Sequence, residues 1–157
     1  MAEVRWLNSE EQAVWRDLLA FHDALITRLD HELQAAVGLS LADYEVLVHL
    51  SEAPESSLRM AELASLCSRS PSGLTRRVDR LAASGLVGRE PCVEDGRGWF
   101  AVLAPEGRRQ LELAAPIHVD GVRRWLFDPL AEAAGPSVAS LASGLAALRR
   151  GFDMPRS

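Results

Sequence analysis

Apolar residues recur at three- and four-residue steps along most of this chain, and one stretch in the middle breaks the rhythm by alternating. Val14, Leu18, Phe21, Leu25, Leu29 and Leu33 mark one face of a long amphipathic helix, opened by Ser9 with Gln12 as a capping box and stopped at Gly38. Ser40 with Asp43 opens a second helix, whose Leu41, Tyr44, Leu47 and Leu50 share a face until Pro54, and 52–57 reads as a loop. A short strand at 58–60 then leads into a helix of two turns over 61–67, with Leu63 and Leu66 inward. That helix is too short to hold by itself. Ser70 as N-cap and Pro71 as first helical residue start the next, with Leu74, Val78 and Leu81 as its buried stripe and Gly85 as its stop. The period then shortens to two, and 86–90 and 99–103 predict a pair of strands around the turn-rich segment 91–98. From 105 to 130 the helical period returns through Leu111, Ala115, Val119, Val122 and Leu126, with a bend at Pro116. Pro136 starts a last helix on Val138, Leu141, Leu145 and Leu148.

The predicted fold class is mainly α with a small β-hairpin wing: a winged helix-turn-helix over 40–103, flanked by helical segments at 9–37 and 105–151, in a single domain spanning 1–157. The 157 residues, 48% apolar, suffice for one core. No apolar run nears the roughly 18 residues of a membrane span, and Glu3 and Arg5 interrupt any signal-peptide core, so a cytoplasmic location is expected. Cys67 and Cys92 are too few and too far apart for a disulfide framework or a zinc knuckle.

A net charge of −5 speaks against a nucleic-acid partner until its distribution is considered. Residues 68–98 hold six arginines (69, 76, 77, 80, 89, 97) and four acids, whereas the remainder holds eleven arginines and eighteen acids. One locally basic zone on an acidic body steers a polyanion to a single surface. Every basic residue is arginine and none is lysine, which fits a GC-rich coding sequence as well as phosphate recognition.

That zone coincides with the helix opened by Pro71. A helix reads the major groove when its N-terminal half is narrow and carries donors for base edges or phosphates, and Ser68, Arg69, Ser70, Ser72, Gly73, Thr75, Arg76, Arg77 and Arg80 meet this requirement. In the hairpin, Asp95-Gly96-Arg97-Gly98 sets one cation between two glycines, so Arg97, directed by Asp95, suits a minor groove.

With these residues in view, the chain resembles the MarR family of bacterial transcriptional regulators over nearly its whole length. The resemblance is carried by 41–47 (LADYEVL), 60–64 (MAELA), 72–81 (SGLTRRVDRL), 85–87 (GLV) and the wing Asp95-Gly96-Arg97. It implies an obligate homodimer joined through the first and last helices, a pseudo-palindromic double-stranded DNA operator, and release when a small molecule enters a cleft between the two regions. Two positions depart from the family pattern. Ala104 stands where a threonine often caps the fifth helix, and Gly98 stands where a basic or hydroxylated residue often follows the wing arginine.

Both ends of the chain carry more apolar surface than a small winged helix covers, which makes Trp6, Leu7, Trp125, Leu126, Phe127, Leu130, Leu141, Leu145 and Leu148 the expected dimerisation seam. Trp15, His22, Tyr44 and His118 are the candidate effector-binding residues, suited to a small aromatic or phenolic compound, with core packing as the competing role. Cys67, close to Arg69, is the candidate for a redox-responsive regulator, against the plainer role of a small packing residue. His22, His31, His49 and His118 lack metal-ligand spacing, and no cofactor is expected. A winged-helix protein-interaction module without DNA binding would place acidic or apolar residues where Thr75, Arg76 and Arg77 stand. Nothing sets a nucleophile beside a base, so no enzyme is expected.

Overall fold

Asn8, not Ser9, caps the first helix. In the computed structural model, which describes residues 4–67, 70–92, 98–133 and 137–151, helix α1 (Ser9–Val37) begins with a capping box between Asn8 and Glu11. The Asn8 side chain accepts the Glu11 N–H, and the Glu11 carboxylate accepts the Asn8 N–H, both at 2.8 Å. A charged acceptor three residues on outcompetes the predicted Ser9 and Gln12 pair, and the Gln12 amide donates to the Leu7 carbonyl instead. Gly38, at φ +68°, ends the helix as expected. With 29 residues α1 is about 44 Å long. Only Leu29 and Leu33 of its stripe are buried, Leu25 is half-buried, and Val14, Leu18 and Phe21 are exposed.

Helix α2 (Leu41–Glu52) is tied at its start from two sides. Ser40 Oγ accepts the Asp43 N–H at 3.1 Å, and Asp30 of α1 accepts the Leu41 N–H at 2.8 Å. Its predicted stripe is buried, and so is Val46, which lies off that stripe. The reason is position: α2 packs against α1, α3 and the sheet, so more than one face is covered. A 3-10 turn (Pro54–Ser56) leads to strand β1 (Ser57–Arg59) and helix α3 (Met60–Leu66). Leu63 points inward as predicted, but Leu66 is 45% exposed. Ala64 takes the second inner place, since this short helix meets its neighbours through one narrow side.

Helix α4 (Pro71–Ala83) buries Leu74, Val78 and Leu81. Gly85, at φ +72°, lets the chain turn back, with the Leu86 N–H donating to the Leu81 carbonyl and the Gly85 N–H to the Ala82 carbonyl. This Schellman closure delivers the chain into the sheet. Strands β2 (Val87–Pro91) and β3 (Trp99–Leu103) pair antiparallel, and β3 lies between β1 and β2, with Ala101 opposite both Leu58 and Arg89.

The predicted helix over 105–130 is three pieces: α5 (Pro105–Val122), a π turn (Arg123–Phe127) and α6 (Asp128–Glu132). Pro116 lies inside α5. Helix α7 (Val138–Arg150) is opened by Ser137, whose Oγ accepts the Ser140 N–H at 3.2 Å, and the predicted opener, Pro136, lies outside the described residues. The chain forms two compact units, Met1–His118 and Val119–Ser157. Leu33, Leu47, Leu50, Leu63, Leu74 and Val78 are the fully buried centre of the first. Among the described residues, no helix is long and apolar enough to cross a membrane.

Candidate nucleic-acid interface

The four-three spacing of Leu74, Val78 and Leu81 fixes which side of α4 faces solvent. Ser72, Arg76, Asp79 and Arg80 lie exposed opposite that stripe. Thr75 is half-buried, and its hydroxyl donates to the Pro71 carbonyl at 2.9 Å. Ser70 acts as the N-cap, its Oγ accepting the Gly73 N–H at 3.2 Å. Gly73 is half-buried, and a Cβ there would lie 3.0 Å from the same Oγ. Close packing at the start of α4 therefore favours glycine.

Arg77 does not share the exposed face. Its Nη1 donates to Asp43 at 2.6 Å and to Ser40 Oγ at 3.3 Å, and both charged side chains are only 18% exposed. Sequence reasoning grouped Arg77 with the DNA contacts and treated Asp43 as a cap alone; the two instead lock α4 onto the start of α2. Arg80 Nη2 approaches the same carboxylate at 3.7 Å while its side chain stays mostly exposed.

A second tie, to Arg89 of β2, joins α4 to the sheet. Arg89 donates to Asp79, and its guanidinium lies 5.0 Å from the centre of the exposed Trp99 ring on β3. The hairpin is closed by the Cys92 N–H on the Gly98 carbonyl at 2.8 Å. Four predicted contact residues, Ser68, Arg69, Asp95 and Arg97, lie outside the described residues. The sequence reading assigns no contact to Arg89 or Trp99, which are diagonal neighbours on the paired strands, Arg89 facing Ala101 and Trp99 facing Pro91.

A helix set by two ties beside a three-stranded hairpin sheet is the layout of a winged helix, and comparison places it among known proteins. The chain is 39% identical to Sco3205, a MarR family transcriptional regulator from Streptomyces coelicolor whose crystal structure was determined in complex with DNA; 98% of this chain and 91% of that one superpose with a TM-score of 0.86. A MarR family sequence profile matches residues 37–98. The chain belongs to the MarR family of transcriptional regulators. AbsC, a further MarR family regulator from the same organism, is 37% identical over 95% of this chain and 93% of its own, with a TM-score of 0.79. The HTH-type transcriptional repressor YetL of Bacillus subtilis is 31% identical over 94 residues, which is 58% of this chain and 56% of YetL. The chain thus spans little more than half the length of that curated relative.

Within this MarR family chain the four candidate effector residues do not form one pocket. Tyr44 and His118 pack on each other, ring centres 4.6 Å apart, with Tyr44 buried. Burial holds the His118 imidazole below its ordinary pKa, and Nδ1 is enclosed without a hydrogen-bond partner among the described residues. Burial, and then the Glu52 charge, raise the Tyr44 phenol. His22 is exposed, bonds to Asp23 at 3.2 Å, and lines a separate cavity between α1 and α2. Trp15 is exposed on α1 and lines neither.

In the first unit the expected seam residues Trp6 and Leu7 are exposed. In the second, Trp125, Leu126, Phe127, Leu130 and Leu141 are half-buried, and Leu145 and Leu148 are exposed. Cys67 is half-buried and Cys92 buried, and neither is in a disulfide. Among the described residues, no group of three or more histidine, cysteine or acidic side chains is gathered to hold a metal.

Proposed function

We propose that this chain is a homodimeric repressor that grips a pseudo-palindromic operator through α4 and the wing, and that a small-molecule effector releases it. The observation that carries the reading is the exposed face of α4, where Ser72, Arg76 and Arg80 are presented by a helix held in place by the half-buried Arg77–Asp43 pair. Such a face supplies a narrow front with forked donors for guanine edges or phosphates. Ser68, Arg69 and Ser70 at the helix start and Arg97 of the wing, oriented by Asp95, complete the contact set in this reading. Arg77 acts as a positioning residue. The DNA complex of Sco3205 and the repressor name of YetL support the reading.

The winged helix-turn-helix then spans 40–103, and the segments 9–37 and 105–151 supply the dimer seam. Support for that seam comes from the apolar side chains left in water, Trp6, Val14, Leu18 and Phe21 in the first unit and Leu145 and Leu148 in the second, a larger exposed set than a monomer needs. Release requires only that the effector prefer one spacing of the two recognition helices by a few kcal/mol.

Operator DNA selected from a random pool tests this. Arg76→Ala and Arg97→Ala should each weaken binding about tenfold or more and lower the slope of log affinity against log salt by about 0.9 per lost phosphate contact, with the dimer intact by sedimentation. Unaltered affinity and slope in both variants would remove the DNA reading. A chain sedimenting as a monomer at micromolar concentration would remove the dimer.

A further inference from the structure

In the first unit, α1, α2 and the end of α3 frame an open-mouthed cavity of about 540 Å³, room for one small aromatic molecule. Its apolar wall includes Ile26 and Leu41, and its polar wall is His22, Thr27, Asp30, Glu45 and Cys67. Among the described residues the lining holds two carboxylates and no arginine. One Asp30 oxygen caps α2 by accepting the Leu41 N–H. Its other oxygen and both oxygens of Glu45 have no hydrogen bond or ion pair among the described residues. Both residues are half-buried, so two acidic side chains sit partly out of water with no arginine paired to them among the described residues. A bound cation relieves that arrangement, whereas a carboxylate or phenolate worsens it. The absence of a metal-holding group among the described residues favours an organic cation, and the apolar wall asks for an apolar body behind the charge.

We propose that this cavity binds a protonated amine carrying a compact aromatic or aliphatic body, its N–H donors on Asp30 and Glu45 and its body against Ile26 and Leu41. The assignment revises the expected phenolic class of effector. It rests on the effector-controlled reading only for its consequence at DNA, because binding itself is measurable without DNA.

Titration calorimetry of the full chain at low salt with benzylamine, benzyl alcohol and benzoate separates charge from shape. Benzylamine should bind about fivefold or more tighter than benzyl alcohol, with benzoate weakest. Glu45→Gln and Asp30→Asn should each cost benzylamine about fivefold and leave benzyl alcohol unchanged. Asp30→Asn keeps an oxygen for the Leu41 N–H, so α2 stays capped, and an unchanged melting curve verifies it. No benzylamine binding at millimolar concentration, equal affinity for benzylamine and benzoate, or equal losses for benzylamine and benzyl alcohol in the variants would overturn the proposal. Operator release is scored separately. Amine-selective binding that leaves DNA affinity untouched supports the cavity assignment and sinks effector control, while release by benzoate alone sinks the cavity assignment and keeps effector control.

Discussion

Removing Asp43 should cost this protein more than removing any other charge on the winged-helix surface. Its carboxylate accepts Arg77 Nη1 at 2.6 Å on one oxygen and the Ser40 hydroxyl at 2.6 Å on the other, with Arg80 at 3.7 Å. Because the Asp43 and Arg77 side chains are each only 18% exposed, little solvent screening discounts the pair. A charge-assisted hydrogen bond of this kind contributes about 1.5–3 kcal/mol, and Asp43→Ala also leaves a largely buried guanidinium served by Ser40 alone. The expected loss is about 3 kcal/mol, the lower end for a broken buried pair. Arg77→Met keeps the packing of the stem and leaves Asp43 with Ser40 and Arg80, so about 1.5 kcal/mol is expected. At about 2–4 °C per kcal/mol for a chain of this size, Asp43→Ala should lower the melting midpoint by about 6–12 °C.

The double variant isolates the pair. Urea unfolding of the wild type, both single variants and the double variant, at one protein concentration, should give a coupling of about 1.5 kcal/mol. Coupling below about 0.5 kcal/mol would mean that the pair is idle. DNA binding supplies an independent check on the direction of Arg77. Arg77→Met should leave the salt slope unaltered, whereas Arg76→Ala lowers it by about 0.9. Equal slope changes in the two variants would refute the inward placement.

Gly107→Ala should destabilise by about 3 kcal/mol despite the better helix propensity of alanine, because the added Cβ would lie 2.0 Å from the Leu86 carbonyl oxygen and 2.9 Å from Leu103 Cδ1. Denaturant midpoints check it, and a neutral or stabilising result would contradict the close packing of α5 on the sheet. His118 should make stability fall on acidification. Its folded pKa is lowered by burial, so the unfolded chain takes up the proton first, and stability is lost as pH falls from the ordinary 6.5 through the lower folded value. The stability gap between wild type and His118→Phe should therefore change between about pH 7.5 and pH 5.5 in the direction of wild-type loss. A gap independent of pH would show that the imidazole is not desolvated.

The elements were legible where period and punctuation agree. Ser70-Pro71, the Leu74, Val78 and Leu81 spacing and Gly85 specify α4 completely, and its observed range follows from them. Errors arose where two signals competed for one role: Asn8 with Glu11 beside Ser9 with Gln12, or Leu66 beside Ala64 for the inner side of a seven-residue helix. The role of Arg77 was also readable. It stands three residues after Leu74 and four before Leu81, at the edge of the buried stripe, and an arginine there needs an acid brought by another helix. Sequence alone does not name that acid, because the pairing spans 34 residues.

What a hydrophobic period cannot express is what covers it. Val14, Leu18 and Phe21 share one apolar face with Leu29 and Leu33, yet the first unit buries only the later turns of α1, and each large apolar side chain left in water forgoes roughly 1.5–3 kcal/mol of burial. Beside that stripe runs a second line, Trp15, Leu19, His22 and Ile26, also at four- and three-residue steps. It begins with exposed apolar residues and ends in the lining of the carboxylate-bearing cavity. Trp15 and His22 were thus singled out for one role but stand at different places on one line, about 10 Å apart along the helix axis. In the proposed dimer this line gives α1 two duties, apolar surface for a partner at its start and a ligand wall two turns later. A single rigid helix carrying both is the shortest physical route by which occupancy of the cavity would alter the spacing of two recognition helices.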